Sequence, residues 1–128
     1  MGLNVEISAG ELVDKITILE IKLQFIEDEA KQKNVHKELA ALKASYQEYI
    51  GTRDDVRGVQ DQLKKINLEL WKIEDDIREC ERQSDFGDNF ITLARAVYHT
   101  NDKRADLKRQ INVLTDSELI EEKSYAAY

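Results

Sequence analysis

The chain has 128 residues, of which 35% are charged, and it carries a formal net charge of −7 with no proline. This composition is typical of long helices in one domain. The acidic balance argues against a surface that binds a phosphate backbone, so we expect no nucleic-acid partner. The apolar runs fall short of the roughly 18–20 residues of a membrane span. Because Cys80 is the single cysteine, the chain forms no internal disulfide, and we expect a cytoplasmic protein with no membrane partner.

The first predicted helix covers residues 8–26. It follows residues 1–7, whose alternating apolar residues predict either a short extended arm or a frayed terminus. Ser8 and Glu11 form a capping box, in which the Ser8 hydroxyl accepts from the Glu11 amide and the Glu11 carboxylate reaches back to the Ser8 amide. A helix that is apolar on two faces is normally buried on two faces. We therefore expect one neighbour from the same chain and the other from a second copy. The two apolar sets are Leu12, Ile16, Leu19, Leu23 and Ile26, and Ile18, Ile21 and Phe25.

A second helix is predicted over 28–50, with Asp28 as its N-cap. It ends before Gly51, because glycine readily adopts the left-handed conformation that closes a helix. We predict a loop over residues 51–58. The fourth helix is predicted over 88–114, followed by an acidic tail over 115–128.

The third predicted helix, over residues 59–82, carries the most regular apolar pattern of the chain. Its apolar residues alternate spacings of four and three, as in a coiled coil. Leu68 and Trp71 lie off this seam and indicate a further contact surface. The seam consists of Val59, Leu63, Ile66, Leu70, Ile73, Ile77 and Cys80.

A polar layer interrupts the inward stripe of the fourth helix. Thr100 and Arg104 occupy positions where Leu or Ile would be expected, and Asn101 lies beside them. A buried guanidinium needs carboxylate or carbonyl partners, and the carboxylates of suitable position are Asp14, Glu20, Glu69 and Glu74. Two interpretations remain open, a layer that fixes helix register as a buried Asn does in coiled coils, and a small-molecule site. The candidate ligand-binding residues are Asp14, Lys15, Thr100, Asn101 and Arg104.

The sequence contains only partial matches to catalytic and metal-binding motifs. Glu11 and Asp14 have the E-x-x-D spacing found in all-α nucleotide pyrophosphatases, whose helical carboxylates hold Mg²⁺. However, the acidic run at 74–79 lacks the accompanying E-E-x-x-E spacing, and a faint likeness of residues 12–19 to chorismate mutases lacks that family's arginine. No Gly-rich phosphate loop or Ser-His-Asp order is present. We therefore predict no catalytic residue, no metal and no cofactor.

Four segments of the chain resemble an uncharacterised family of short helical proteins from bacteria and phages, including cyanophages. They are SAGELVDKITILEIK from Ser8, NLELWKIEDDIR from Asn67, LARAVYHTNDKRADLKRQIN from Leu93 and SELIEEKSY from Ser117. The resemblance spans nearly the whole chain and brings no established activity, cofactor or catalytic residue. It implies that the chain acts in the host cytoplasm if a phage encodes it.

These observations predict an all-α fold of two helical hairpins, the first helix with the second and the third with the fourth. The hairpins would form a four-helix, coiled-coil-like bundle that is completed by oligomerisation. The predicted function is a non-enzymatic protein–protein interaction or scaffold module, acting on a host protein if a phage encodes it. The alternative is a small-molecule enzyme or ligand-binding protein that uses the polar layer around Arg104. The candidate interface residues are Ile18, Ile21, Phe25, Leu68, Trp71 and Tyr125.

Overall fold

The computed structural model describes residues 2–128 and contains four helices. This confirms the predicted all-α class, and no residue in the described range lies in a β-strand. Within residues 2–128, no helix is both long and apolar enough to cross a membrane. Residues 2–8 and 117–128 form no helix. The helices are α1 (Ala9–Phe25), α2 (Glu29–Tyr49), α3 (Asp54–Arg82) and α4 (Asp88–Leu114).

Helix α1 is the centre of the fold, because it packs against each of the other three helices. Helix α2 lies against one side of α1, and the hairpin formed by α3 and α4 lies against another. The first apolar set of α1 is thus covered within the chain, whereas the second set is covered in part: Ile21 is only 1% exposed, but Phe25 is 47% exposed. The core consists of Leu12, Val13, Ile16, Leu19, Val35, Leu39, Ile50, Val56, Val59, Leu63, Leu107 and Ile111.

Side-chain caps define the N-terminal ends of α1 and α2. The Ser8 hydroxyl accepts from the Glu11 amide at 3.1 Å, and the Asp28 carboxylate accepts from the Lys31 amide at 3.0 Å. The other half of the predicted capping box differs, because the Glu11 carboxylate lies 2.7 Å from the Lys108 ammonium of α4. An ion pair with a cation on a neighbouring helix thus replaces the local bond to the Ser8 amide.

Helix α3 begins at Asp54, five residues before the predicted start at Val59. Val56 is fully buried and extends the apolar seam by one turn. The charged residues that suggested a loop form the first turn, where the helix dipole favours carboxylates, and the Asp55 carboxylate accepts from the Val56 amide at 2.8 Å. The true connection is short and begins at Gly51, whose φ of +70° closes α2 as predicted.

Helix α1 is much shorter than the hairpin on which it packs. It has 17 residues, against 29 in α3 and 27 in α4. At about 1.5 Å per residue, α1 spans about 26 Å and the hairpin helices about 40 Å. The main apolar cluster reaches along α3 as far as Ile66 and along α4 from Leu107 onward. In the part of the hairpin nearest its turn, residues 71–98, Cys80 is the one buried residue, and we call this part the distal hairpin.

Candidate functional site

The predicted polar layer exists and is built around Asp14, which is 1% exposed. The Arg104 guanidinium donates to both carboxylate oxygens of Asp14, from Nε at 2.9 Å and from Nη2 at 2.5 Å. The Asn67 amide donates to Asp14 Oδ1 and to Thr17 Oγ1, each at 2.9 Å. The Thr17 hydroxyl donates to the Asp14 carbonyl oxygen at 2.8 Å. Because each buried charge has an opposite charge and additional hydrogen bonds, its desolvation is compensated.

The electrostatics of this layer support a structural role. Hydrogen bonding to the Asp14 carboxylate raises the pKa of Arg104 above its ordinary value, against the opposing effect of partial burial. The guanidinium is thus held in its charged form opposite Asp14. The ion pair connects α1 to α4, and the hydrogen bond from Asn67 connects α3 to the same Asp14 side chain. This arrangement fixes the relative register of three helices.

The other predicted ligand-binding residues are arranged differently. Lys15 is exposed, and its ammonium lies 3.9 Å from Glu11. Thr100 is buried, whereas Asn101 is half-buried and lines a groove with Arg104. Asn67 belongs to the layer and was not predicted. The one sequence feature that could have indicated Asn67 is its position directly after Ile66 of the α3 seam.

A second polar cluster joins the first turn of α1 to the last turns of α4. The Gly10 amide donates to the Asn112 side-chain oxygen at 2.7 Å, and a Cβ atom at Gly10 would lie 2.3 Å from the Lys108 carbonyl oxygen. The Lys108 ammonium lies 2.7 Å from Glu11 and 2.8 Å from Glu121. Burial lowers the pKa of Lys108, but the hydrogen bonds to the two carboxylates outweigh it and raise the pKa above its ordinary value. The backbones of α1 and α4 are therefore in direct contact here.

The tail after α4 folds back along that helix. Asp102 holds it, since the carboxylate lies 2.5 Å from the Lys123 ammonium and also accepts from the Tyr128 hydroxyl. A hydrogen bond from Lys123 and a weaker contribution from the Tyr128 hydroxyl hold the pKa of Asp102 below its ordinary value. The Tyr128 ring packs on Tyr98, with centroids 5.2 Å apart. Tyr125, a predicted interface residue, is 87% exposed.

The other predicted interface residues gather where α1 ends. Phe25 is 47% exposed, and its ring stacks on Trp71 with centroids 5.5 Å apart. Ile18, Leu68 and Trp71 are half-buried, whereas Ile21 is buried. A groove of about 600 Å³ opens between α1 and the hairpin, lined among others by Ile18, Ile21, Trp71, Asn101 and Arg104.

On α3, two rows of side chains face α1 and continue beyond it. Residues seven apart lie on the same side of a helix, two turns on. The first row starts at Lys64, which lies 3.7 Å from Glu20 of α1, and the second starts at Asn67, which bonds Asp14. The rows are Lys64, Trp71 and Arg78, and Asn67, Glu74 and Glu81.

On α4, two matching rows also start at α1. Lys108 pairs with Glu11 and Asn112 accepts from Gly10, so both face α1. The rows are Lys108, Asn101 and Ala94, and Asn112, Ala105, Tyr98 and Ile91. Six residues of the four rows lie in the distal hairpin after Trp71, and two of them, Glu74 and Arg78, also line the groove with Ile18 and Ile21 of α1. We call the six residues the distal face: Glu74, Arg78, Glu81, Ile91, Ala94 and Tyr98.

The distal face is divided lengthwise into an apolar half and an acidic half. On α4, Ile91 is 51% exposed, and Tyr98 is 42% exposed although the Tyr128 ring of the tail packs on it. On α3, Glu74 and Glu81 are exposed, and Arg78 lies 3.5 Å from Glu74. The surface therefore has an apolar flank on α4 and a charged flank on α3.

The acidic run on α3 does not form a cation site with other residues. Glu74 pairs with Arg78, and Glu79 lies 2.8 Å from Arg82. Across residues 2–128, no three His, Cys, Asp or Glu side chains are grouped so that they could hold a metal ion.

Comparison with known proteins identifies a family and no activity. A family model described as "Family of unknown function (DUF6165)" matches residues 3–128. No curated protein and no solved structure matches the chain. The family match covers all four segments on which the sequence resemblance was based.

Proposed function

The chain belongs to the family of unknown function DUF6165, and we propose that it is a non-enzymatic protein-interaction module that binds a helix on its distal face. The observation that carries this proposal is that α1 ends at Phe25, whereas the rows that it packs against continue along the hairpin. The α1 helix itself illustrates how a helix lies on these rows. The proposal keeps the cytoplasmic location predicted from the sequence.

Burial of apolar surface would drive such docking. At roughly 25 cal/mol per Å², covering one large apolar side chain contributes about 1.5–3 kcal/mol when burial is complete. Ile91 and Tyr98 are about half exposed, and the seam residues beneath them, Phe90, Leu93 and Val97, are only half-buried. A docked helix would complete the burial of this part of the hairpin.

The distal face is also preformed. The polar layer fixes α1, α3 and α4 in one register, and α3 and α4 are each continuous through the distal hairpin. A partner would therefore lose little free energy to ordering of this chain, which favours affinity.

Self-association is the alternative use of this surface. The oligomerisation predicted from the sequence was placed on other residues, the second apolar set of α1 (Ile18, Ile21 and Phe25) with Leu68 and Trp71. Face-to-face pairing of two distal faces would set acidic halves against each other or against the apolar halves. Sedimentation equilibrium separates the two uses. A dimer that Ile91→Glu converts into a folded monomer would establish self-association.

A ligand site beside Arg104 is the second candidate function. It is favoured by the groove that Arg104 and Asn101 line, because the bond to Asp14 holds the guanidinium in place. A small carboxylic acid that raises the melting temperature of the wild type, but not of Arg104→Lys, would support it. If no acid in a screen gave this difference, the ligand-site candidate would be excluded for that class.

The main proposal is tested with the single tryptophan of the chain, Trp71, which lies where α1 ends. The probe is a helical peptide of about 15 residues, long enough to form a helix, with Leu and Ala on one stripe and Gln elsewhere. We expect a saturable change in Trp71 fluorescence that a scrambled peptide does not produce. Ile91→Glu should abolish the change. Val113→Glu is the matched control, because Val113 is 67% exposed on α4 outside the rows that face α1.

A wild-type protein that does not respond to the peptide would contradict the proposal. So would equal responses from Ile91→Glu and Val113→Glu, because binding would then lie elsewhere.

A further inference from the structure

We infer that the partner of the distal face is a basic amphipathic helix, with an apolar stripe against α4 and a row of Lys or Arg against α3. This inference rests on the proposed function and specifies its partner. It follows from the lengthwise division of the distal face into an apolar half and an acidic half.

The acidic half has a regular spacing that a helix can match. Glu74 and Glu81 are seven residues apart in one row, about 10.5 Å along the helix, and the Glu74 side chain is 52% exposed. Cations at a seven-residue spacing on a partner helix would lie opposite both carboxylates. Arg78 already pairs with Glu74, but the surrounding charge remains negative. Residues 72–82 contain five acidic and three basic residues, a net charge of −2.

The apolar half has the shape that a helix needs for close approach. Ala94 lies between Ile91 and Tyr98 on the face of α4 that turns toward the α1 side. The Ala94 side chain is small and half-buried, so it would not obstruct a bulky apolar side chain of a partner helix. The same half carries little charge, because residues 88–98 contain one acidic and one basic residue, Asp88 and Arg95.

A second copy of this chain fits the distal face less well than a basic helix. Its own distal α3 would bring a further charge of −2, and like charges across an interface are repulsive. Its distal α4 has only Arg95 as a cation. Charge complementarity therefore favours a partner that supplies several cations along one flank.

The experiment compares three helical peptides that share one apolar stripe and carry Lys, Gln or Glu on the flank. Each is titrated into the full chain, with Trp71 fluorescence as the readout. At low ionic strength we expect the Lys peptide to bind at least about tenfold more tightly than the Glu peptide, with the Gln peptide between them. The difference should shrink as salt increases, since the Debye length falls from about 30 Å at 0.01 M to about 8 Å at 0.15 M.

Two charge-reversal variants test whether the distal carboxylates cause this order. Glu74→Lys combined with Glu81→Lys should reverse it, so that the Glu peptide binds most tightly. Glu38→Lys combined with Glu48→Lys changes the net charge of the chain by the same amount, but on α2, where both residues are exposed. This variant should leave the order of peptide affinities unchanged. Circular dichroism checks that both variants are folded.

The outcomes separate this inference from the proposed function. If all three peptides bind equally, the distal face binds helices but the basic partner is wrong. The same holds if the α2 variant also reverses the order, because only net charge would then matter. If the wild type dimerises through this face and the peptides merely compete with the dimer irrespective of flank, the occupant is a second copy. If no peptide binds, the proposed function fails as well.

Discussion

The carboxylate of Asp14 and the guanidinium of Arg104, ninety residues apart in the chain, form an ion pair with two hydrogen bonds. Asp14 is almost fully buried, whereas the Arg104 side chain is 29% exposed. The pair sets how far α1 lies along α4, and it thereby determines how much of the hairpin α1 covers. The length of the uncovered distal hairpin is a consequence of this register.

Removing the guanidinium should destabilise the fold strongly. Arg104→Met leaves the Asp14 carboxylate buried without its cation, and we expect a loss of about 3–5 kcal/mol in the free energy of unfolding. The matched control is Arg109→Met, whose partner Glu122 is 73% exposed, and which should cost less than about 1 kcal/mol. Urea denaturation measures both. Similar losses for the two variants would show that the Asp14–Arg104 pair is not a structural element.

Two glycine substitutions should have opposite effects on stability. A Cβ atom at Gly10 would overlap the Lys108 carbonyl oxygen at 2.3 Å, so Gly10→Ala must push α1 from α4 and should destabilise by about 1–3 kcal/mol. No atom lies within 4 Å of a Cβ built on Gly58 in α3, so Gly58→Ala should stabilise by about 0.5–1 kcal/mol through helix propensity. Thermal unfolding compares them, and a stabilising Gly10→Ala would refute the close contact.

The contribution of Lys108 should disappear at alkaline pH. Its pKa is raised above the ordinary value of 10.5, so its charge stabilises the fold fully below pH 10.5 and less as the pH rises through the folded-state pKa. We expect Lys108→Met to be less stable than the wild type by about 1–2 kcal/mol at neutral pH. The difference in unfolding free energy between Lys108→Met and the wild type should become smaller above pH 10.5. Urea midpoints across this range measure it, and a difference that is independent of pH would contradict the ion pairs with Glu11 and Glu121.

A substitution after α3 should stabilise the fold. Ser84 has a φ of +54°, in the left-handed region that is unfavourable for a residue with a Cβ atom. Ser84→Gly should therefore raise the free energy of unfolding by about 0.5–1 kcal/mol. Ser45→Gly, within α2, should instead lower it by about 0.5 kcal/mol because glycine disfavours helix interiors. Equal effects of both substitutions on the melting temperature would contradict the strained conformation at Ser84.

Local signals predicted the helix ends that depend on neighbouring residues. Ser8 and Asp28 cap α1 and α2 through bonds to the third residue after each, and Gly51 closes α2 with a positive φ. The start of α3 was predicted too late, because the charges at 53–57 and Gly58 resemble a loop. What extends the helix is the burial of Val56 in the apolar core, which local sequence does not reveal.

The polar layer was only partly predictable for the same reason. Arg104 stood out because it interrupts an apolar stripe, but four carboxylates were equally suitable partners. The choice of Asp14 depends on how two helices align across ninety residues. Asn67 and Lys108 were missed, since polar residues beside a seam are usually exposed. The distal face could not be predicted from the sequence either, because it depends on where α1 ends along the hairpin.

The most direct test of the proposed docking site is to locate the bound helix on the protein. Backbone amide signals of the full chain would be recorded by ¹H–¹⁵N correlation spectroscopy while the Lys-flanked peptide is added. We expect the largest shifts at Glu74, Glu81, Ile91, Ala94 and Tyr98, with the Val113 signal unchanged. Shifts confined to α2, or an unchanged spectrum at saturating peptide, would contradict the claim that the distal face is a docking site.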